Sequence, residues 1–431
     1  MQGKTRSSCE IIYQNACQVI PGGVNSPVRN FSDVEVSPLI VDRAIGDTIY
    51  DADSNTYIDY CTSWGALILG HSPDPVVKVL EKQLKQGTSF GISTSYEYEI
   101  AKKIVELVPS VEKVRFVSTG TEATMTAIRL ARGYTKKPLI IKFQGNYHGH
   151  HDALLVQSGS SVSYLNPEAT SQGVLPSSIQ ETITLPYNDK KALDDFFASE
   201  KKDDVAAVII EPIAGNMGVI PAKHAFLQAL KECSKKHNFL LIFDEVISGF
   251  RVGLEGAQGY YGILPDLTCF GKIVGGGLPA ALIGGKAEVM DLLAPIGEVF
   301  QAGTLSGNPL AMRAGLATLK VLERDGIYEE LEEKTRVITD PIREELKNTP
   351  HSIHSIGSMF SIFWNVKNPQ NKTDLAHLDM DLFKQYFQFL LKKGIYIPQS
   401  PFETSFVSLA HSRENLQYTR DVILEFIKLK K

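Results

Sequence analysis

Short apolar runs of strand length alternate with amphipathic stretches of helix length through the middle of this chain. The runs fall at 114–117, 139–143, 205–210, 239–243, 267–270 and 281–283. Between them, 121–133, 192–199 and 222–236 carry apolar residues at the three- and four-residue spacing of one helix face. An apolar run without alternation reads as a strand buried on both sides, and strands alternating with helices build a sheet covered on both faces. The pattern predicts an α/β fold with a mostly parallel sheet flanked by helices.

The chain ends follow other patterns. Ile11, Ile12, Ala16 and Val19 give a helix over 10–20 that stops at Pro21-Gly22-Gly23. The next stretch, 24–29, is too rich in turn formers for regular structure. Runs at 39–41, 48–50 and 57–60, broken at Gly46-Asp47 and Asp53-Ser54-Asn55, predict a short antiparallel meander peripheral to the main sheet. Helices are expected at 75–87, 96–108, 310–322 and 328–346, ahead of a tail with strands at 358–363 and 406–409. This gives an N-terminal segment, 1–63, a large domain, 64–315, and a smaller C-terminal α+β domain, 316–431. Residues 157–178 are rich in Ser, Gly and Pro with few apolar anchors. So long a stretch without regular structure reads as a lid.

Composition narrows the class. A chain of 431 residues, 43% hydrophobic and 22% charged, is an ordinary globular protein with room for several domain-sized units. No apolar run nears the roughly 20 residues of a membrane helix, and Met1-Gln2-Gly3-Lys4-Thr5-Arg6 is too short and polar for a signal peptide, so a cytoplasmic protein is expected. The net charge of −5, with no basic block, argues against a nucleic-acid partner. Cys9, Cys17, Cys61, Cys233 and Cys269 are scattered without metal-site spacing and read as reduced thiols.

Candidate chemistry gathers at the ends of the buried runs. The run 239–243 closes in Asp244-Glu245, and Lys272 stands just past 267–270, followed by Gly275-Gly276-Gly277. If those strands are parallel neighbours, acid and amine meet beyond their carboxyl ends, where such sheets bind ligands. A carboxylate to keep a pyridine nitrogen protonated and an amine to condense with an aldehyde suit pyridoxal phosphate. Taken singly, Asp244 could equally cap a helix or pair with an arginine, and Lys272 could be a solvated charge. Gly120 and Thr121 sit where a strand turns into a helix, a place for phosphate or simply an N-cap with an acidic first turn. Tyr147 follows the run 139–143, placed to stack on a ring or only to pack. His148, His150 and His151 crowd the same loop, but no partner shows a ligand spacing and no metal is expected.

Phe243-Asp244-Glu245-Val246, Gly271-Lys272, Ser118-Thr119-Gly120-Thr121-Glu122 and Gly303-Thr304-Leu305-Ser306-Gly307-Asn308 together resemble the fold-type I, class III group of pyridoxal-phosphate enzymes. Within that group, Gly22-Gly23-Val24-Asn25-Ser26-Pro27-Val28-Arg29 is similar to the aminomutases that act on glutamate-1-semialdehyde, and the similarity runs from about Tyr13 to the C-terminal helix. The resemblance implies a large cofactor-binding domain, a smaller domain from the chain ends, and pyridoxal or pyridoxamine 5'-phosphate as cofactor. It makes Lys272 anchor and general acid/base and places Asp244 at the ring nitrogen. Gly120 and Thr121 fall at the phosphate, Tyr147 and Val246 on the ring faces, and Glu211 and Asn216 beside the ring. Thr304 belongs to a segment that crosses a homodimer interface to the neighbouring site.

The same resemblance implies conversion of glutamate-1-semialdehyde to 5-aminolevulinate, in tetrapyrrole biosynthesis, through 4,5-diaminovalerate retained by a closing lid. It matches Arg29 to the substrate carboxylate, a task for a bidentate fork, Ser26 and Trp64 to the pocket, and Ser160 to the gating loop. Glu403 stands where related aminotransferases help a dicarboxylic co-substrate to bind, and a carboxylate there repels a second acid. On their own, Trp64 is equally a buried aromatic and Glu403 a solvated loop residue. The chain departs from the group's usual residues at Ser118-Thr119, Ser161, Ala66 and Phe300, none of them a catalytic group. Two rivals stand beside the mutase: a class III transaminase of ω-amino acids, and a non-catalytic member of the fold, against which both Asp244 and Lys272 speak.

Overall fold

Both sides of the run 239–243 are apolar because both are covered. Leu241 and Phe243 pack into one layer with Phe143, Ile210 and Phe226, while Leu240 and Ile242 pack into the opposite layer with Ile128, Ile140 and Ile209. Ile128 lies on the helix Gly120–Thr135 and Phe226 on the helix His224–His237, so the two layers are faced by different helices. Each large apolar side chain buried this way contributes about 2 kcal/mol.

The computed structural model describes residues 7–158 and 167–430. Its main sheet has seven strands: β1 Lys113–Val117, β2 Leu139–Phe143, β3 Thr182–Leu185, β4 Val205–Ile210, β5 Leu240–Glu245, β6 Leu267–Phe270 and β7 Ala281–Gly285. They lie in the order β1-β7-β6-β5-β4-β2-β3. Only β7 is antiparallel to its neighbours, the remaining pairs being parallel. Six carboxyl ends and the start of β7 therefore share one edge. β3 escaped the sequence pattern because Thr182 and Thr184 break the apolar run; both are nonetheless buried, and the Thr182 hydroxyl donates to the Ala153 carbonyl at 2.7 Å.

The chain ends build a second body. Val41–Ile45, Thr48–Asp51 and Thr56–Asp59 form the antiparallel meander, its first strand shifted past 39–41 so that Ile45 faces Thr48 across the Gly46-Asp47 turn. Ile395–Tyr396 adds to it in parallel, too short a strand to stand out in the sequence. Phe31, Tyr57 and Tyr60 share a core with Trp364, Phe387 and Phe426. Ser352–Ile356, Met359–Phe363 and Ser405–Phe406 form a further sheet there.

Two stretches expected to be irregular are partly regular. Within 24–29, Pro27 opens a 3-10 turn that runs to Asn30. Within 157–178, Val156–Ser158 pairs with Pro167–Ala169 and a short helix covers Pro176–Ile179; Ser160 and Ser161 lie outside the described residues. Among the described helices none is long and apolar enough to cross a membrane.

Candidate active site

The shared strand edge opens into a cavity of about 730 Å³. Because β5 and β6 pair in parallel with Asp244 opposite Cys269, the acid at the end of one strand and the amine just after the next both reach it. Ser26, Arg29, Trp64, Gly120, Thr121, Tyr147, Glu211, Asn216, Asp244, Val246, Lys272 and Glu403 all line this one cavity. Thr304 does not; it is exposed on the loop ahead of the helix Pro309–Leu322.

Asp244 is buried, and its Oδ2 lies 2.7 Å from His148 Nδ1, while Oδ1 accepts from the Val246 amide at 3.1 Å. A carboxylate only accepts, so Nδ1 carries the proton of this pair. Burial holds His148 below the ordinary histidine value, although Asp244 pulls the other way. Thr124 Oγ1 donates to the His148 carbonyl at 2.7 Å and fixes the loop. In the sequence, His148 stands out only as a candidate metal ligand. Its place beside Tyr147 after β2 was the available signal, but its partner comes from β5, with β4 between the two strands.

Lys272 opens a 3-10 turn with φ 49°, a left-handed conformation that costs a non-glycine residue on the order of 1 kcal/mol. Gly276 permits this turn: a Cβ there would lie 2.5 Å from the Ala314 backbone. Burial pushes the Lys272 amine down, with Glu403, Glu211 and Asp244 opposing. Burial, then the charge of Asp244, pushes Glu211 well above the carboxylate range, although it accepts from the Tyr147 amide at 2.7 Å, the Gly215 amide at 3.1 Å and Asn216 Nδ2 at 3.0 Å. Glu403 is also raised by burial, with Lys272 opposing.

At the helix start, Thr119 Oγ1 accepts from the Glu122 amide at 3.1 Å, and Glu122 Oε2 accepts from the Ser118 and Thr119 amides at 2.7 and 3.0 Å. This is a full capping box. It leaves the Gly120 and Thr121 amides, which have no acceptor inside the helix, at the positive end of a 16-residue dipole. A Cβ on Gly120 would come within 3.2 Å of both Val246 methyls, so the turn lies close against that side chain. Amides for a phosphate, a histidine-backed acid for a ring nitrogen, an aliphatic and an aromatic side chain for a ring, and an amine are gathered in one chamber, and pyridoxal phosphate fits that set.

Such a donor set beyond the carboxyl ends of a mostly parallel sheet defines a pyridoxal-phosphate transferase of fold-type I. The chain belongs to the class-III aminotransferase family, which it matches over residues 31–412. It is 51% identical to a glutamate-1-semialdehyde 2,1-aminomutase of Protochlamydia amoebophila (strain UWE25), over 98% of this chain and 99% of that one. Among solved structures it is similar to an omega-transaminase from Sphaerobacter thermophilus, with TM-score 0.90 and 31% identity over 99% of this chain and 98% of the other. A transaminase with PLP bound matches with TM-score 0.88 and 28% identity over 99% and 98% of the two chains.

Proposed function

We propose that this chain shifts an amino group within one molecule, converting glutamate-1-semialdehyde to 5-aminolevulinate through 4,5-diaminovalerate, a step of tetrapyrrole biosynthesis. The observation that carries this reading is Glu403 in the same chamber as Lys272 and Arg29. One cation serves the single carboxylate of the substrate, and an acid beside the lysine disfavours a second carboxylate, such as a separate amino acceptor brings.

When bound, the cofactor would supply an electron-withdrawing ring and, in its pyridoxamine form, an exchangeable amine. The Gly120 and Thr121 amides would hold its phosphate, and Asp244, steadied by His148, would keep a proton at its ring nitrogen. Val246 and Tyr147 would cover the ring, with Glu211 and Asn216 beside it. Lys272 would anchor the group and act as the base and acid that takes up and delivers the proton at the reacting substrate carbon, a task suited to an amine whose proton affinity is lowered by burial. Arg29 grips the substrate carboxylate, and Ser26 and Trp64 complete the wall. This assigns chemistry to residues 64–315 and substrate choice to 1–63 and 316–431, together with Trp64. A second copy brings Thr304 to the phosphate; Ile92, Ile296 and Phe300, 80%, 73% and 69% exposed, are apolar residues such a partner would cover.

The test is product formation from glutamate-1-semialdehyde alone. We expect 5-aminolevulinate without any added amino acceptor. The omega-transaminase likeness supports a second reading, an ω-amino acid transaminase, and a strict need for a second substrate would decide for it.

A further inference from the structure

Arg251 is 1% exposed, and no carboxylate of the described residues pairs with it. Burial pushes its guanidinium down to about 9. A cation stripped of water without a counter-charge is costly, and its donors show what it holds instead. Nη2 donates to the Gly65 carbonyl. Nη1 donates to Ser358 Oγ at 3.0 Å and faces the Val407 carbonyl at 3.5 Å. Its Cζ lies 4.9 Å from the centre of the Phe406 ring. One flat group thus ties together three segments, a task a lysine ammonium cannot match.

Gly65 ends a turn whose backbone is left-handed four times in succession, with φ of 43°, 54°, 59° and 87° at Thr62, Ser63, Trp64 and Gly65. A β-branched residue and a tryptophan adopt that conformation only where their surroundings impose it. The start of the turn is imposed by Asp59, whose Oδ1 accepts from the Cys61 and Thr62 amides at 2.7 and 3.0 Å. The end is imposed by Arg251 and by Phe406, which a Cβ on Gly65 would strike at 2.7 Å. Between the two pins stands Trp64, facing the cavity.

We propose that Arg251 is a positioning residue for the reaction: its guanidinium fixes the end of the left-handed turn 62–65 and thereby the place of Trp64 against the substrate. The inference rests on the function proposed above, in that Trp64 forms the substrate wall.

The experiment uses the holoenzyme, with Arg251→Met, which keeps an apolar stem and loses the donors, made alone and together with Trp64→Ala. Arg251→Met raises KM for glutamate-1-semialdehyde about tenfold with kcat changed less than about threefold, the mark of lost wall contact rather than lost chemistry. In the Trp64→Ala background the same change alters kcat/KM by less than about twofold, because the two residues act as one unit. Equal losses in both backgrounds, or an unchanged KM in a folded, cofactor-loaded Arg251→Met protein, overturn the proposal. Should Arg251→Met fail to fold, Arg251→Lys takes its place, with the same direction of KM and the same coupling to Trp64. Trp64 and Trp364 are the only tryptophans, so in a Trp364→Phe protein acrylamide quenching reads Trp64 without substrate. It increases about twofold on loss of the Arg251 donors, and identical quenching counts against the proposal. If the unaltered enzyme makes no 5-aminolevulinate, the function fails, yet the quenching still decides the role of Arg251.

Discussion

Asp244 and Glu245 are adjacent carboxylates whose side chains leave β5 on opposite faces, and their surroundings give them different work. Asp244 meets His148 in the cavity. Glu245 accepts from the Ala257 amide at 2.5 Å and from the Gln258 amide and Ser248 hydroxyl at 3.2 Å each, with burial pushing it up to about 7. A carboxyl raised in the fold binds its proton more tightly there than in the open chain. Its stabilising share is complete below the ordinary carboxylate value and is lost as pH rises through about 7. Glu245→Gln removes that loss, so urea unfolding at pH 5 and pH 8 should show the variant gaining on the parent by roughly 3 kcal/mol between the two. In the cavity, the charge of Glu403 raises the Lys272 amine against the effect of burial. Glu403→Gln therefore lowers the amine further, and the acid limb of the kcat–pH profile moves to lower pH. A limb that stays in place would show that Glu403 does not bear on the lysine.

At the scale of elements, the strand ends carried most of what the sequence revealed. Apolar runs ending in Asp244, in Glu211 and just before Lys272 are visible in the chain because a strand buried on both faces leaves no alternation. What stayed hidden is set by contacts distant in sequence. The link between His148 and Asp244 spans two strand pairings, and the left-handed backbone of Lys272 and of Thr62 to Trp64 is imposed on residues whose own preferences oppose it. β3 was lost to its threonines, and Ile395–Tyr396 to its length. The turn behind Lys272 is the element most sensitive to change. Gly276→Ala adds a Cβ 2.5 Å from the Ala314 carbonyl group in a left-handed residue, so either the helix Pro309–Leu322 retreats or the lysine shifts. Thermal unfolding should report a loss of about 1–3 kcal/mol, and activity should fall by at least about a hundredfold.

For the molecule as a whole, the exposed apolar residues Ile92, Ile296 and Phe300 lead to a prediction about assembly. A charge in place of one of them, as in Phe300→Glu, is buried without a partner if two copies close over it. Sedimentation should then show monomers, and, on the proposed dimer in which Thr304 serves the neighbouring phosphate, the cofactor absorbance should weaken with them. A variant that stays dimeric and fully loaded would overturn this arrangement.

Three of the residues proposed to choose the substrate come from chain segments rooted in one core: Arg29 beside Phe31, Trp64 after Tyr60 and Glu403 ahead of Val407, with Phe31, Tyr60 and Val407 packed in a single cluster. On the proposed assignment, taste sits mainly with the chain ends and chemistry with the large sheet. Transplanting both termini from a cousin enzyme, as one matched pair, should carry over that cousin's appetite for its own amine while leaving the ring-handling machinery of the recipient untouched.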